Sequence, residues 1–198
     1  MRKNTFPKAI ALFVVLYMTA ATSVAITKGN GEFIAYIFVQ LLIMGVVYAI
    51  HKRVGFSKAV LWGMAIWGFL HMAGGLVTIP ESWPYNGQQP VLHSLWIIPE
   101  KFKYDHLVHA YGFGLTTWLC WEALCAGIQY RLGRKLYPTI GLVTLCVASG
   151  MGFGALNEIV EFLAIPDTTV GGYYNTGWDL VSKLTGCLIG GFLVYLRG

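Results

Sequence analysis

Six apolar runs divide the chain, at about 9–27, 32–50, 58–78, 105–127, 139–163 and 176–196. Each is near the roughly 20 residues that a helix needs to cross a bilayer. Gly, Pro or clustered charge separates them, as expected of the turns between spans. The pattern predicts an all-α fold: a polytopic membrane bundle of six transmembrane helices, with residues 1–198 as a single transmembrane domain. The first run could instead be a signal peptide, with Arg2 and Lys3 as its basic start and Ser23-Val24-Ala25 as a cleavage site. Its length favours a retained helix, and either choice leaves the later orientation unchanged.

The polar positions between the runs alternate in charge. Arg2, Lys3 and Lys8 precede the first run; Lys52, Arg53 and Lys58 fill the second loop; Arg131, Arg134 and Lys135 fill the fourth; Arg197 follows the last run. The first loop sets Lys28 against Glu32, the third balances Glu81 and Glu100 with Lys101 and Lys103, and the fifth holds Asp167. Short loops rich in Lys and Arg stay in the cytoplasm, so both termini are expected there.

The third loop, 79–104, is long for a connection and faces outward in this topology. It holds Pro80, Pro84, Pro90 and Pro99 beside Trp83, Tyr85 and Trp96. Aromatic rings of this kind settle at headgroup level. The expectation is an extracytoplasmic segment along the outer interface, acting as a lid or a tethered surface loop.

Composition agrees with the pattern. Of 198 residues, 56% are hydrophobic and 12% charged, against about 25% charged in a soluble domain. The net charge of +5 is explained by loop topology, so no nucleic-acid partner is expected. Cys120, Cys125, Cys146 and Cys187 lie inside apolar runs with no CxxC pair, which reads as small core residues.

The ionisable residues inside the runs converge on one side. The fourth run enters from outside with Asp105, His106 and His109. The fifth leaves with Asn157, Glu158 and Glu161, and the sixth enters with Asn175, Asp179 and Lys183. His71 comes late in the outward-running third run. At about 1.5 Å per residue, all lie within roughly 10 Å of the outer boundary. Asp105 and His109, Asn157 and Glu161, and Asp179 and Lys183 are each four apart, so each pair shares a helix face. Charged groups avoid lipid, so those faces are expected to turn inward. The bland alternatives are that Asp105 caps the fourth helix and that Asn175 or Thr176 caps the sixth. Glu122, near the inner end, is expected to reach the interface.

The glycines read as packing positions. SGMGFGA at 149–155 lies mid-span with no strand before it, which excludes a dinucleotide loop. Gly150 and Gly154, and Gly186 and Gly190, are four apart, so the fifth and sixth helices are expected to pack closely on them. That packing would bring Glu158, Glu161 and Asp179 together.

DHLVHAYGFG, ALNEIVEF and WDLVSKLTG, within residues 103–190, resemble the three-part signature of the VanZ-like membrane proteins, and most closely their YjdF-type branch. The signature falls on Asp105 with His109, Asn157 with Glu158, and Asp179 with Gly186. The resemblance implies a bacterial, multi-pass protein of the inner (plasma) membrane and no particular reaction. Lys183 departs from it, standing where many VanZ-like members have Asn; it could pair with Asp179 or neutralise the glutamates.

Three functions follow from the polar layer. The first is a metal-assisted hydrolase or transferase, or a binding site, for a membrane lipid or lipid-linked substrate. A divalent metal such as Zn²⁺ would take ligands from His71, His106, His109, Glu158 and Asp179. Glu158, Glu161 and Asp105 are the catalytic candidates, with Glu161 as general base, and Asn157, Asn175 and Lys183 would bind substrate. The second is a small transporter or a proton- or cation-binding protein, although the inner halves lack matching polar residues. The third is a purely structural polar layer.

Overall fold

A computed structural model describes residues 4–29, 31–87, 89–164 and 172–197. Among them are six helices: α1 (Lys8–Thr27), α2 (Gly31–Val54), α3 (Lys58–Leu76), α4 (Tyr104–Leu132), α5 (Ile140–Ala164) and α6 (Gly172–Leu196). Asp167 lies outside the described residues. Five helices are long and apolar enough to cross a membrane. The sixth, α4, is the longest, but polar side chains at both ends dilute its apolar character.

Local signals explain the ends. Ser57 is the N-cap of α3, where its hydroxyl accepts the Val60 amide. Glu122 of α4 accepts the Ser57 amide at 2.8 Å and its hydroxyl at 2.6 Å, so this acid ties α4 to the start of α3. Gly133 ends α4 with φ 62°, a left-handed conformation that suits glycine. Lys52 and Arg53 fall inside α2 and Arg131 inside α4. The apolar runs stop at these charges, but the backbone hydrogen bonding continues past them.

The core lies where apolar faces meet. Met18, Ala21 and Ala25 of α1 pack with Phe33 and Ile37 of α2 and Met72 and Leu76 of α3. At the other end, Ile10, Phe56, Val60, Leu61 and Ala65 form a second cluster against Leu115 and Trp118 of α4. The first and last described residues lie at this second end: Asn4 donates to the His51 carbonyl, and Arg197 sits over the Trp118 ring. Exposed Leu12, Leu16, Phe38, Leu42, Phe162 and Phe192 form an apolar exterior suited to lipid.

α4 is the hub, touching α3, α5 and most extensively α6. A Cβ on Gly186 would overlap the Ala110 backbone, and one on Gly190 would overlap Gly114. These two glycines therefore bring α6 against α4, while the expected close packing of α5 on α6 forms on the α5 glycines. Gly150 faces Thr117 and Cys187, and Gly154 faces the Lys183 stem.

The 79–104 segment is held by its own backbone. A 3-10 turn (Leu92–Ser94) leads into an antiparallel hairpin of β1 (Trp96–Ile98) and β2 (Phe102–Lys103), a small departure from an all-α chain. Ile79 donates to the Pro90 carbonyl, Asn86 to Ser94, Trp96 to Pro84 and Tyr104 to Leu95. The segment packs on the adjoining ends of α3 and α4.

Candidate functional site

Where the segment meets α4, the chain builds a buried polar group. The Lys103 amide donates to Nδ1 of His106 at 3.2 Å. This bond helps close the helix start, since the N-cap residue Lys103 makes no side-chain cap. It also fixes the tautomer: Nδ1 accepts, so neutral His106 carries its proton on Nε2. Asp105 is not the cap. It sits inside the first turn, with Oδ1 3.4 Å from Nε2 of His109 one turn on.

Asp179 of α6 completes the group. Its Oδ1 lies 4.0 Å from His109 Nε2 and 3.7 Å from His106 Nε2. Among the described residues neither Asp179 Oδ1 nor His106 Nε2 has a hydrogen-bond partner, although both atoms are buried. The other carboxylate oxygen, Oδ2, accepts from Asn175 at 2.7 Å, and Asn175 in turn accepts from the Lys103 ammonium at 2.5 Å. Since α6 starts at Gly172, Asn175 lies within the helix; its side chain orients Asp179 and does not cap. Asp179 is thus held by one oxygen while the other points into the group.

One ligand atom each from Asp105, His109 and Asp179 lies within 4.8 Å of the other two. A tetrahedral Zn²⁺ with bonds of about 2.0–2.2 Å needs ligand atoms roughly 3.3–3.6 Å apart. The Asp105–His109 separation already fits, and small side-chain movements would close the others. Asp105 keeps 17% side-chain exposure against 5% for His109 and 2% for Asp179, so an approaching molecule would meet Asp105 first.

The other expected site residues lie elsewhere. Lys183, fully buried one turn below Asp179, pairs with Glu158 of α5, donates to the Gly154 carbonyl and lies over the Phe113 ring. Lys183 thus neutralises a glutamate and does not pair with Asp179. Glu158 is committed to that cation and stands outside the ligand group. Asn157 donates to Glu161 at 2.5 Å, a pair along α5 that is likewise separate from the group. His71 stacks on Trp67 and lies 5.3 Å, ring to ring, from His93. It belongs to an aromatic cluster under the 79–104 segment, with Tyr36 and Tyr104 as neighbours of the two rings.

Lys103 and His93 escaped the sequence reading because both lie in the loop. Lys103 counts there as one of two balancing cations, yet it is buried and holds Asn175. Burial, the largest influence, pushes the His93 pKa below the ordinary histidine range; Asp105 opposes this and Lys103 adds to it. Its Nε2 has no hydrogen-bond partner among the described residues.

Comparison with known proteins adds kinship to this geometry. Residues 9–198 match the family model described as "Predicted membrane protein (DUF2238)". The chain belongs to the DUF2238 family. The match takes in α1 to α3, beyond the 103–190 span that carries the motif resemblance, together with every candidate residue above. No curated protein and no solved structure matches the chain. As a DUF2238 member it is a predicted integral membrane protein whose helices bury a His/Asp group.

Proposed function

We propose that Asp105, His109 and Asp179 form a divalent-metal centre, Zn²⁺ being the best match, that acts on a membrane lipid or lipid-linked substrate. The observation that carries this reading is the unpartnered, buried Asp179 Oδ1 facing His109, while Oδ2 is held by Asn175. A buried carboxylate oxygen without a donor is costly unless something binds it. Outer partners that orient a ligand carboxylate are typical of metal sites.

Two carboxylates and one imidazole leave a fourth position for water or a substrate oxygen. A metal there would activate the water or polarise a phosphoryl oxygen. His106, with its proton on Nε2, would be placed to donate a hydrogen bond at that fourth position and would not be a ligand. The Lys183–Glu158 pair holds α5 and α6 together below the centre. In the topology expected from the loop charges, the centre faces the outer leaflet of the bacterial inner membrane, within reach of lipid headgroups. Kinship with the wider VanZ-like proteins is part of the same reading, supported by the motif order on Asp105, Glu158 and Asp179.

A transport path is less well supported. Below Lys183, α4 and α6 meet backbone to backbone at Gly114 and Gly186. This leaves little room for a polar route between them.

Incubation of the purified protein with labelled phospholipids and polyprenyl phosphates tests the proposal. Turnover that is lost on chelation and restored by Zn²⁺ supports it. No turnover across the panel by metal-loaded protein would count against an enzyme. A proton or solute current in proteoliposomes, abolished by Glu158→Gln, would favour transport instead.

A further inference from the structure

The opposite end of the bundle carries a second feature, independent of the polar centre. A cleft of about 410 Å³ opens between the inner half of α4, the α4–α5 connection and the last turn of α6. Its walls include Trp118 and Trp121 of α4, Lys135 and Tyr137 of the connection, and Arg197. The volume falls within the roughly 300–1,000 Å³ of small-ligand sites.

The chemistry of the walls is one-sided. Lys135 lies 4.9 Å from the centre of the Tyr137 ring, and the Arg197 guanidinium lies 4.3 Å from that of Trp118. Neither cation pairs with a carboxylate among the described residues. Among the described residues no acidic side chain lines the cleft, and Arg131 and Arg134 border the same connection. The acid nearest in sequence, Glu122, is engaged by Ser57.

We infer that this cleft binds the phosphate of an anionic phospholipid, with Lys135 and Arg197 as its cationic contacts. The aromatic residues place the cleft at headgroup depth, where Trp and Tyr gather. Exposed Leu132, Ile140 and Leu196 offer apolar surface nearby for the acyl chains. Basic pockets between helices on the cytoplasmic side suit anionic headgroups. A free phosphate would satisfy the same cations, but it would leave the apolar margin without a role.

Native mass spectrometry of the full chain in mild detergent tests this, with phosphatidylglycerol and phosphatidylcholine titrated separately. Phosphatidylglycerol is expected to bind more tightly. The K135A/R197A variant should weaken it about thirty-fold, the combined effect of two basic contacts, and leave phosphatidylcholine unchanged. K52A/R53A removes as much charge from the last turn of α2 and should leave both lipids unchanged. Binding in K135A/R197A equal to that of the parent, or equal binding of the two lipids, would overturn the inference. Displacement of phosphatidylglycerol by an equal concentration of inorganic phosphate would reassign the cleft to a soluble phosphate.

Discussion

The Lys103 amide donates to Nδ1 of His106, so the proton of the neutral imidazole sits on Nε2, 3.7 Å from Asp179 Oδ1. Two histidines three residues apart thus have different roles. His106 presents a donor, and His109 presents Nε2 to Asp105 and Asp179.

His106→Ala is therefore expected to leave bound metal unchanged and to lower turnover. His109→Ala is expected to remove both. Elemental analysis of the two purified variants, beside a turnover assay, checks this. Equal metal loss in both variants would contradict the assigned tautomer role.

Lys183 and Glu158 form an ion pair in which the lysine is fully buried and the glutamate side chain is 14% exposed. Removing one partner strands the other. Lys183→Met is expected to cost about 3 kcal/mol, the low end for a buried pair because Glu158 keeps some exposure. Adding Glu158→Gln should recover most of that loss. Thermal unfolding in detergent reads both variants; a double variant no more stable than the single would contradict the pairing.

Gly186 lies against the Ala110 backbone, which cannot turn aside as a side chain can. Gly186→Ala is expected to destabilise by about 1–3 kcal/mol or to separate α4 from α6. Gly177, in the same helix with open space around it, tolerates Ala. Melting curves of the two variants should differ clearly; coincident curves would contradict the close α4–α6 approach.

His93 is buried with no partner for Nε2 among the described residues, and its pKa is held below its unfolded value. The unfolded chain takes up a proton near pH 6.5 that the folded chain resists. Stability from this group is thus complete above about pH 6.5 and is lost as pH falls toward the depressed folded pKa. His93→Phe removes the proton site and should flatten the difference in melting temperature between pH 7.5 and pH 5. An undiminished difference would assign the acid sensitivity to other groups.

The six helices were legible because a bilayer-length apolar run bounded by charge has few other readings. Their ends were less legible: hydropathy stops at Lys52 or Arg131, whereas the helix continues past them. The pairing of Asp105 with His109 followed from a four-residue spacing that no tertiary contact could undo. The partner of Lys183 was legible only as a choice between Asp179 and the glutamates: spacing on α6 points to Asp179, and packing on α5 supplies Glu158. The same limit hid which helix Gly186 and Gly190 face. Lys103 and His93 were illegible for another reason. Loop residues carry no periodicity, and only the hairpin and the 3-10 turn bring them beside the bundle.

The most direct measurement is the metal content of the purified protein after Zn²⁺ loading and desalting, compared with Asp105→Asn, His109→Ala and Asp179→Asn. The account predicts about one ion per chain in the parent and almost none in each variant, with helicity by circular dichroism unchanged. A parent that retains no metal, or variants that retain as much as the parent, would contradict it.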